Sequence, residues 1–195
     1  MKKRLICMCI CVCVLAIVSF TVSVCGNWEI LHNGCFNLVD KDGNVLYWLA
    51  EDPLADRGQR DHGLVQLVFD REVTYVGNGS LRIHVPFGAE KHFPRWKQRL
   101  DNVEDVLTIS ISAKAKTKDI VDGSGAYINF EYFDAEGTRI GFKNGKPFIT
   151  GTTDDWVTLA VDDALPSGVH SVYINLLLNG YGTAWFDDVK ILQVF

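Results

Sequence analysis

Short apolar runs that alternate with period two, cut at intervals by glycine-containing pairs, leave few folds open to this chain. Ser80 to Val85 places Leu81, Ile83 and Val85 on one face. Val106 to Ala113 sets Leu107, Ile109 and Ile111 against Thr108, Ser110 and Ser112. Ala126 to Phe133 sets Ile128, Phe130 and Tyr132 against Tyr127, Asn129, Glu131 and Phe133. Leu64 to Phe69, Trp156 to Val161, Ser171 to Leu178 and Thr183 to Phe195 are further candidates. Between them fall Asn33-Gly34, Asp42-Gly43, Asn78-Gly79, Asp122-Gly123, Glu136-Gly137, Asn144-Gly145 and Asn179-Gly180, pairs that read as turns. No window keeps a helical apolar face beyond about ten residues, the length at which helix becomes the better reading. Many short strands at this spacing predict an all-β, two-sheet antiparallel sandwich.

The first residues stand apart from this pattern. Met1-Lys2-Lys3-Arg4 is basic, and Leu5 to Val18 is apolar apart from its cysteines. That run is short for a membrane span and suits a secretory signal. We therefore expect a signal peptide over residues 1–26 and one domain over 27–195. Small residues precede two cleavage points, near Ser23 and Gly26. Val24 is large for the lipobox that a lipid-anchored Cys25 would need; an uncleaved anchor is the remaining option. No membrane contact is expected beyond such a signal or anchor.

Of the six cysteines, Cys7, Cys9, Cys11 and Cys13 fall in the signal, leaving Cys25 and Cys35. A Cys25–Cys35 bridge is open if cleavage precedes Cys25, and an unpaired Cys35 is the simpler expectation. Removing Lys2, Lys3 and Arg4 from the 19 basic residues leaves 16 against 24 acidic ones, a net charge of −8. An acidic domain is poorly matched to nucleic acid or an anionic membrane.

A sandwich face that packs inward is apolar and its other face polar. Thr108, Ser110, Asn129 and Glu131 are expected to line an outer face, joined by Arg82, His84, Trp96 and Gln98. Amides, carboxylates and guanidinium groups beside Trp or Tyr suit a sugar, whose hydroxyls take paired polar partners and whose C–H face packs on an aromatic plane. An ordinary solvated sheet has a similar composition.

These motifs, taken in order, resemble the secreted carbohydrate-binding modules of the family 4/9/22 type, within the galactose-binding-like jelly rolls. The likeness runs from Asn33 to Leu192: Asn33-Gly34-Cys35-Phe36, Trp48, Gly77 to Arg82, Trp96-Lys97-Gln98, Tyr127 to Gly137, Asp155-Trp156, Leu165-Pro166, and Gly182 to Ile191. The resemblance implies a jelly roll that binds a polysaccharide or oligosaccharide on its concave sheet through Arg82, His84, Trp96, Gln98, Tyr127, Asn129 and Glu131, and does no chemistry. The competing readings are a structural or adhesion domain that binds protein, and a small glycoside hydrolase.

The resemblance also implies a structural calcium, held by Asp187 with carbonyl oxygens from residues 33–37 and 77–79. The family's Glu after Phe36 is Asn37 here, which weakens that ligand set. Strand alternation sends Asp187 and Asp188 to opposite faces, so they are badly placed as a catalytic pair. Asp187 is expected to share the inward face of Val189 and Ile191, either as a metal ligand or capping loop amides. The segment Glu51 to Gly63, with Asp52, Asp56, Asp61 and His62, reads as a charged loop. Asn78-Gly79-Ser80 is formally a glycosylation sequon and reads better as a turn. Trp48 and Trp156 are expected in the core, and covering the outer sheet is one option left open for Trp185.

Overall fold

A computed structural model describes residues 31–53, 64–90 and 92–194. The expected signal peptide and most of the charged loop, including Asp56, Asp61 and His62, lie outside the described residues. Every regular element among the described residues is a strand: β1 (Leu49–Glu51), β2 (Gln66–Asp70), β3 (Ser80–Val85), β4 (Arg95–Asp101), β5 (Thr108–Phe133), β6 (Arg139–Asn144), β7 (Val157–Ala164) and β8 (Ser171–Val194). All the pairings are antiparallel.

The two long strands build the sandwich, because each serves both layers. The first half of β8 lies between β4 and the second half of β5, with β1 outside β4 and β6 outside β5; we call this layer the front. The second half of β8 lies between β3 and the first half of β5, with β2 outside β3 and β7 outside β5; this is the back. Between the layers sits one core, made by the inward residues of both: Leu81, Ile83, Ile109, Ile111, Ile128, Phe130, Ile174, Leu176 and Phe186 are wholly buried.

The crossing from layer to layer corrects the sequence reading. Asp122-Gly123 and Asn179-Gly180 were expected to be turns; both lie inside continuous strands, where β5 and β8 shift register against each other at residues 118–125. The glycines there permit close backbone approach. A Cβ on Gly123 would sit 2.1 Å from the Asn179 carbonyl oxygen, and one on Gly180, at φ 126°, would sit 2.6 Å from that of Val121. Glycine inside a strand marks such a bend as readily as a chain reversal. The two expected strands on either side of each pair therefore merge into one. Leu107, expected inward, is exposed just before β5 begins.

Cys35 is corrected as well: it is disulfide-bonded, with its partner outside the described residues. Trp48 is in the core as expected, edge-on to Phe36 and donating from its indole N–H to the Asn33 carbonyl at 3.2 Å.

Candidate functional site

Strand alternation decides which side chains reach each outer face. On β4, Trp96, Gln98 and Leu100 point inward while Arg95, Lys97 and Arg99 point out. Across the front layer, register then sets Glu51, Arg95, Leu177 and Tyr127 in one row, and Lys97, Asn175, Asn129 and Asn144 in the next. Arg99, Tyr173, Glu131 and Phe142 make a third.

The middle of this face is sunk into a cleft of about 440 Å³ that reaches Pro53, Phe93, Arg139 and Phe142 at its sides. Asn129, Glu131 and Tyr127 form its floor and are each under a tenth exposed, although the sequence pattern placed them on an open polar face. Long side chains from β4 and β6 cover them.

The floor is a closed polar network. Asn175 donates from its amide nitrogen to Asn129 Oδ1 at 2.9 Å and to Glu131 Oε2 at 3.2 Å. Asn129 donates in turn to Asn144 at 3.3 Å. Arg139 donates to Glu131 Oε1 at 2.7 Å, and an Arg95 Nη1 lies 3.6 Å from the other carboxylate oxygen. At the far side, both Arg95 and Lys97 are hydrogen-bonded to Glu51. Burial holds the Lys97 ammonium below its ordinary pKa, partly offset by Glu131. Burial also raises the Tyr127 phenol. Beneath the floor, the wholly buried Asn175 Oδ1 has no hydrogen-bond partner among the described residues. Two aromatic rings stand at the sides with half their surface in water: Phe93 and Phe142.

Of the seven residues expected to bind sugar, the structure brings three together here: Tyr127, Asn129 and Glu131. The other four are placed elsewhere. Trp96 is buried in the core and donates to the Arg82 carbonyl at 3.2 Å. Gln98 is buried too, clasping the His32 backbone with a bond in each direction, at 2.7 and 2.8 Å. The phase of β4 sets both inward, since its outward positions are the basic residues. Arg82 and His84 do point outward, but from β3 on the back layer, where they meet Gln66 and Thr183. Sequence reasoning missed Arg95, Arg139, Phe93 and Phe142. Alternation within Arg95 to Asp101 carries the signal for Arg95; Phe93 sits in a loop, where no periodicity points to it.

Asp187 is wholly buried, and the bulge at Asp188 explains how. Between Ser112 and Lys114 the register with β8 slips, and Asp188 takes φ 49°. The extra residue reverses the phase. Asp187 therefore shares the outward side of Trp185, whereas Val189 and Ile191 point inward, contrary to the expected common face. Residues 73–76 close over it: Asp187 Oδ2 accepts from the Tyr75 and Val76 amides at 2.7 and 3.0 Å, and Oδ1 from the Asp188 amide at 2.7 Å. Burial nevertheless pushes its pKa up to about 6. Asn37 accepts the Asn78 amide at 3.0 Å. Oxygens already facing N–H groups do not fit a calcium ion, which needs oxygen ligands around it. Among the described residues, no three acidic, His or Cys side chains converge as metal ligands.

No protein-family model and no curated protein sequence matches the chain. Solved structures do. The first xylan-binding domain, CBM22-1, of Paenibacillus barcinonensis Xyn10C is 17% identical, with a TM-score of 0.56 over 83% of this chain and 92% of that one. The C-terminal family 22 carbohydrate-binding module of Clostridium thermocellum Xyn10B is 17% identical, with a TM-score of 0.53 over 85% and 96%. The enzymatically active domain of bacteriophage CBA120 tailspike protein 4 is 16% identical, with a TM-score of 0.57, but the match covers 88% of this chain and only 24% of that one. The resemblance read from the sequence thus holds for the fold: this chain is an antiparallel β-sandwich of the jelly-roll type found in carbohydrate-binding modules.

Proposed function

We propose that this chain is a secreted, non-catalytic protein that binds a polysaccharide or oligosaccharide along the front cleft. The observation that carries the reading is the cleft itself: a fixed floor of amides, carboxylate and guanidinium groups between two half-exposed phenyl rings. Sugar hydroxyls take paired donors and acceptors, and the apolar face of a pyranose takes an aromatic plane. The network is already braced in the free protein, so little side-chain order is lost on binding. Glu51 and Glu131 are both tied to cations, an arrangement that orients hydroxyls and leaves neither as a free proton carrier. The fold neighbours described as xylan-binding make xylan the first ligand to test.

The test is affinity electrophoresis and a glycan array on the protein, with Glu131→Ala and Phe142→Ala beside it. Retardation by one neutral glycan, lost in both variants, is the expected result. Binding of no glycan, or binding that survives both substitutions, overturns the reading.

A further inference from the structure

The outward face of the back layer has a different chemistry. Successive outward positions of β5 carry Lys114, Lys116 and Lys118, at strand steps of about 6.6–6.8 Å for every second residue. Register places Trp185 of β8 between Lys116 and Arg82 of β3, and Thr183 between Lys118 and His84.

Ion pairing separates this row from most other cations described. Arg82, Arg95, Lys97, Arg99, Arg139, Lys143 and Lys190 each have a carboxylate within ion-pair distance. Among the described residues none of the three lysines on β5 has one, although register sets Asp187 opposite Lys114. Lys114 donates to the Thr158 hydroxyl at 2.9 Å and lies over the Tyr75 ring. Three carboxylates that border the face are already engaged: Asp70 by the Trp185 indole N–H at 2.9 Å and by Arg82, Asp187 by backbone amides, and Asp119 by the Thr152 hydroxyl. An acidic chain has therefore left a line of ammonium groups without ion pairs on one face, with Lys116 and Lys118 beside a part-exposed indole and a hydroxyl.

We propose that this face is a second binding site, separate from the cleft, and that its ligand is a polyanionic glycan whose pyranose rings carry carboxylates. The lysine row supplies repeated point charges along an extended chain. Trp185 supplies the flat apolar surface on which a pyranose packs. Charge alone would suit any polyanion; the indole set among Thr183, His84 and Arg82 is what favours a sugar ring over a lipid surface.

The test uses polygalacturonate as the probe, by affinity electrophoresis and calorimetry with the whole protein. Its fully methyl-esterified form serves as the uncharged control. Polygalacturonate should bind at low salt and be released near 1 M salt, where the Debye length is about 3 Å. The ester should not bind. Lys116→Ser/Lys118→Ser should weaken binding roughly tenfold, the loss of about two exposed ion pairs. Glu131→Ala in the front cleft should leave it unchanged. The proposal is overturned if polygalacturonate does not bind, if the ester binds equally, or if the double lysine variant binds as tightly as the parent. Loss of binding in Glu131→Ala instead would move the ligand to the cleft. Equal binding of phosphatidylserine vesicles or duplex DNA would overturn the proposal as well, making the face a general polyanion surface. Failure of xylan to bind the cleft leaves this proposal untouched, because the two sites share no residue.

Discussion

The front and back faces are made from the same two strands and solve the charge problem in opposite ways. In front, β4 and β6 bring arginines and a lysine over carboxylates on β1 and β5, so each of these charges is paired and the floor is largely buried. Behind, β5 presents three lysines that form no ion pair among the described residues: Lys114, whose register partner Asp187 is held by backbone amides, and Lys116 are half-buried, and Lys118 is exposed. A buried charge must be paired or it shifts the equilibrium toward its neutral form, while an exposed one costs almost nothing unpaired. Depth of the face therefore dictates pairing. The front residues brace one another across the sheet, whereas of the back lysines Lys114 is tied to Thr158 and Tyr75 and Lys116 and Lys118 have no ion-pair partner among the described residues.

The largest expected effect removes the comparison altogether, by breaking the crossing on which both faces depend. Gly180→Val adds a branched side chain at φ 126° against the Val121 carbonyl. Left-handed strain and the clash together should cost about 3 kcal/mol or more. Denaturant unfolding should show it, and both faces should lose their ligands in parallel. A variant with wild-type stability would mean that the strands do not approach as described.

Next in size is the buried anchor of the back layer. Asp187→Ala strips the acceptor from the Tyr75, Val76 and Asp188 amides, at about 1–3 kcal/mol for each group left unpaired. We expect a loss of about 3 kcal/mol, read from the unfolding midpoint. The pH dependence has a definite sign. The native pKa, about 6, lies above the ordinary Asp value near 3.9, so the folded state holds a proton that the unfolded state has released. This group's favourable contribution is complete below about pH 4 and is lost as pH rises through about 6. Wild type should therefore lose stability relative to Asp187→Asn between those limits, by roughly 2–3 kcal/mol. A flat difference refutes the assignment. A chelator should leave the midpoint unmoved, and a drop on chelation would reinstate the calcium reading for Asp187 and Asn37.

Legibility followed the same division. Period-two alternation on β3 and β5 gave the inward residues correctly, because one-sided burial in an antiparallel sheet imposes it. It also put Asn129 and Glu131 on one outward face. Two things escaped it. A sheet face is not a place until the layers are assigned, so Arg82 and His84 looked like neighbours of Glu131 while lying behind the molecule. A bulge also resets the phase without leaving a sign in the polar pattern, which is why Asp187 looked inward. The glycine pairs were ambiguous for a related reason: close approach of two backbones and a tight turn both select glycine. Trp96 and Gln98 were misplaced for a third reason. Their strand runs basic on its outward side, and an aromatic beside an amide looked like a ligand platform when it was core and clasp.

The smallest predicted change discriminates most finely between the two faces. Arg139→Ala deprives a buried carboxylate, Glu131, of its shortest hydrogen bond, leaving Asn175 and the more distant Arg95 to hold it. A cost of about 1–2 kcal/mol is expected. The double substitution Lys116→Ser/Lys118→Ser removes more charge but no pair, so stability should stay within about 0.5 kcal/mol of the parent. If relief of like-charge repulsion along β5 dominates, the small change should be a gain, larger at low salt. Equal destabilisation by the front and back variants would show that the lysines have a structural role. The contrast between a braced cleft and an uncommitted basic face would then fail.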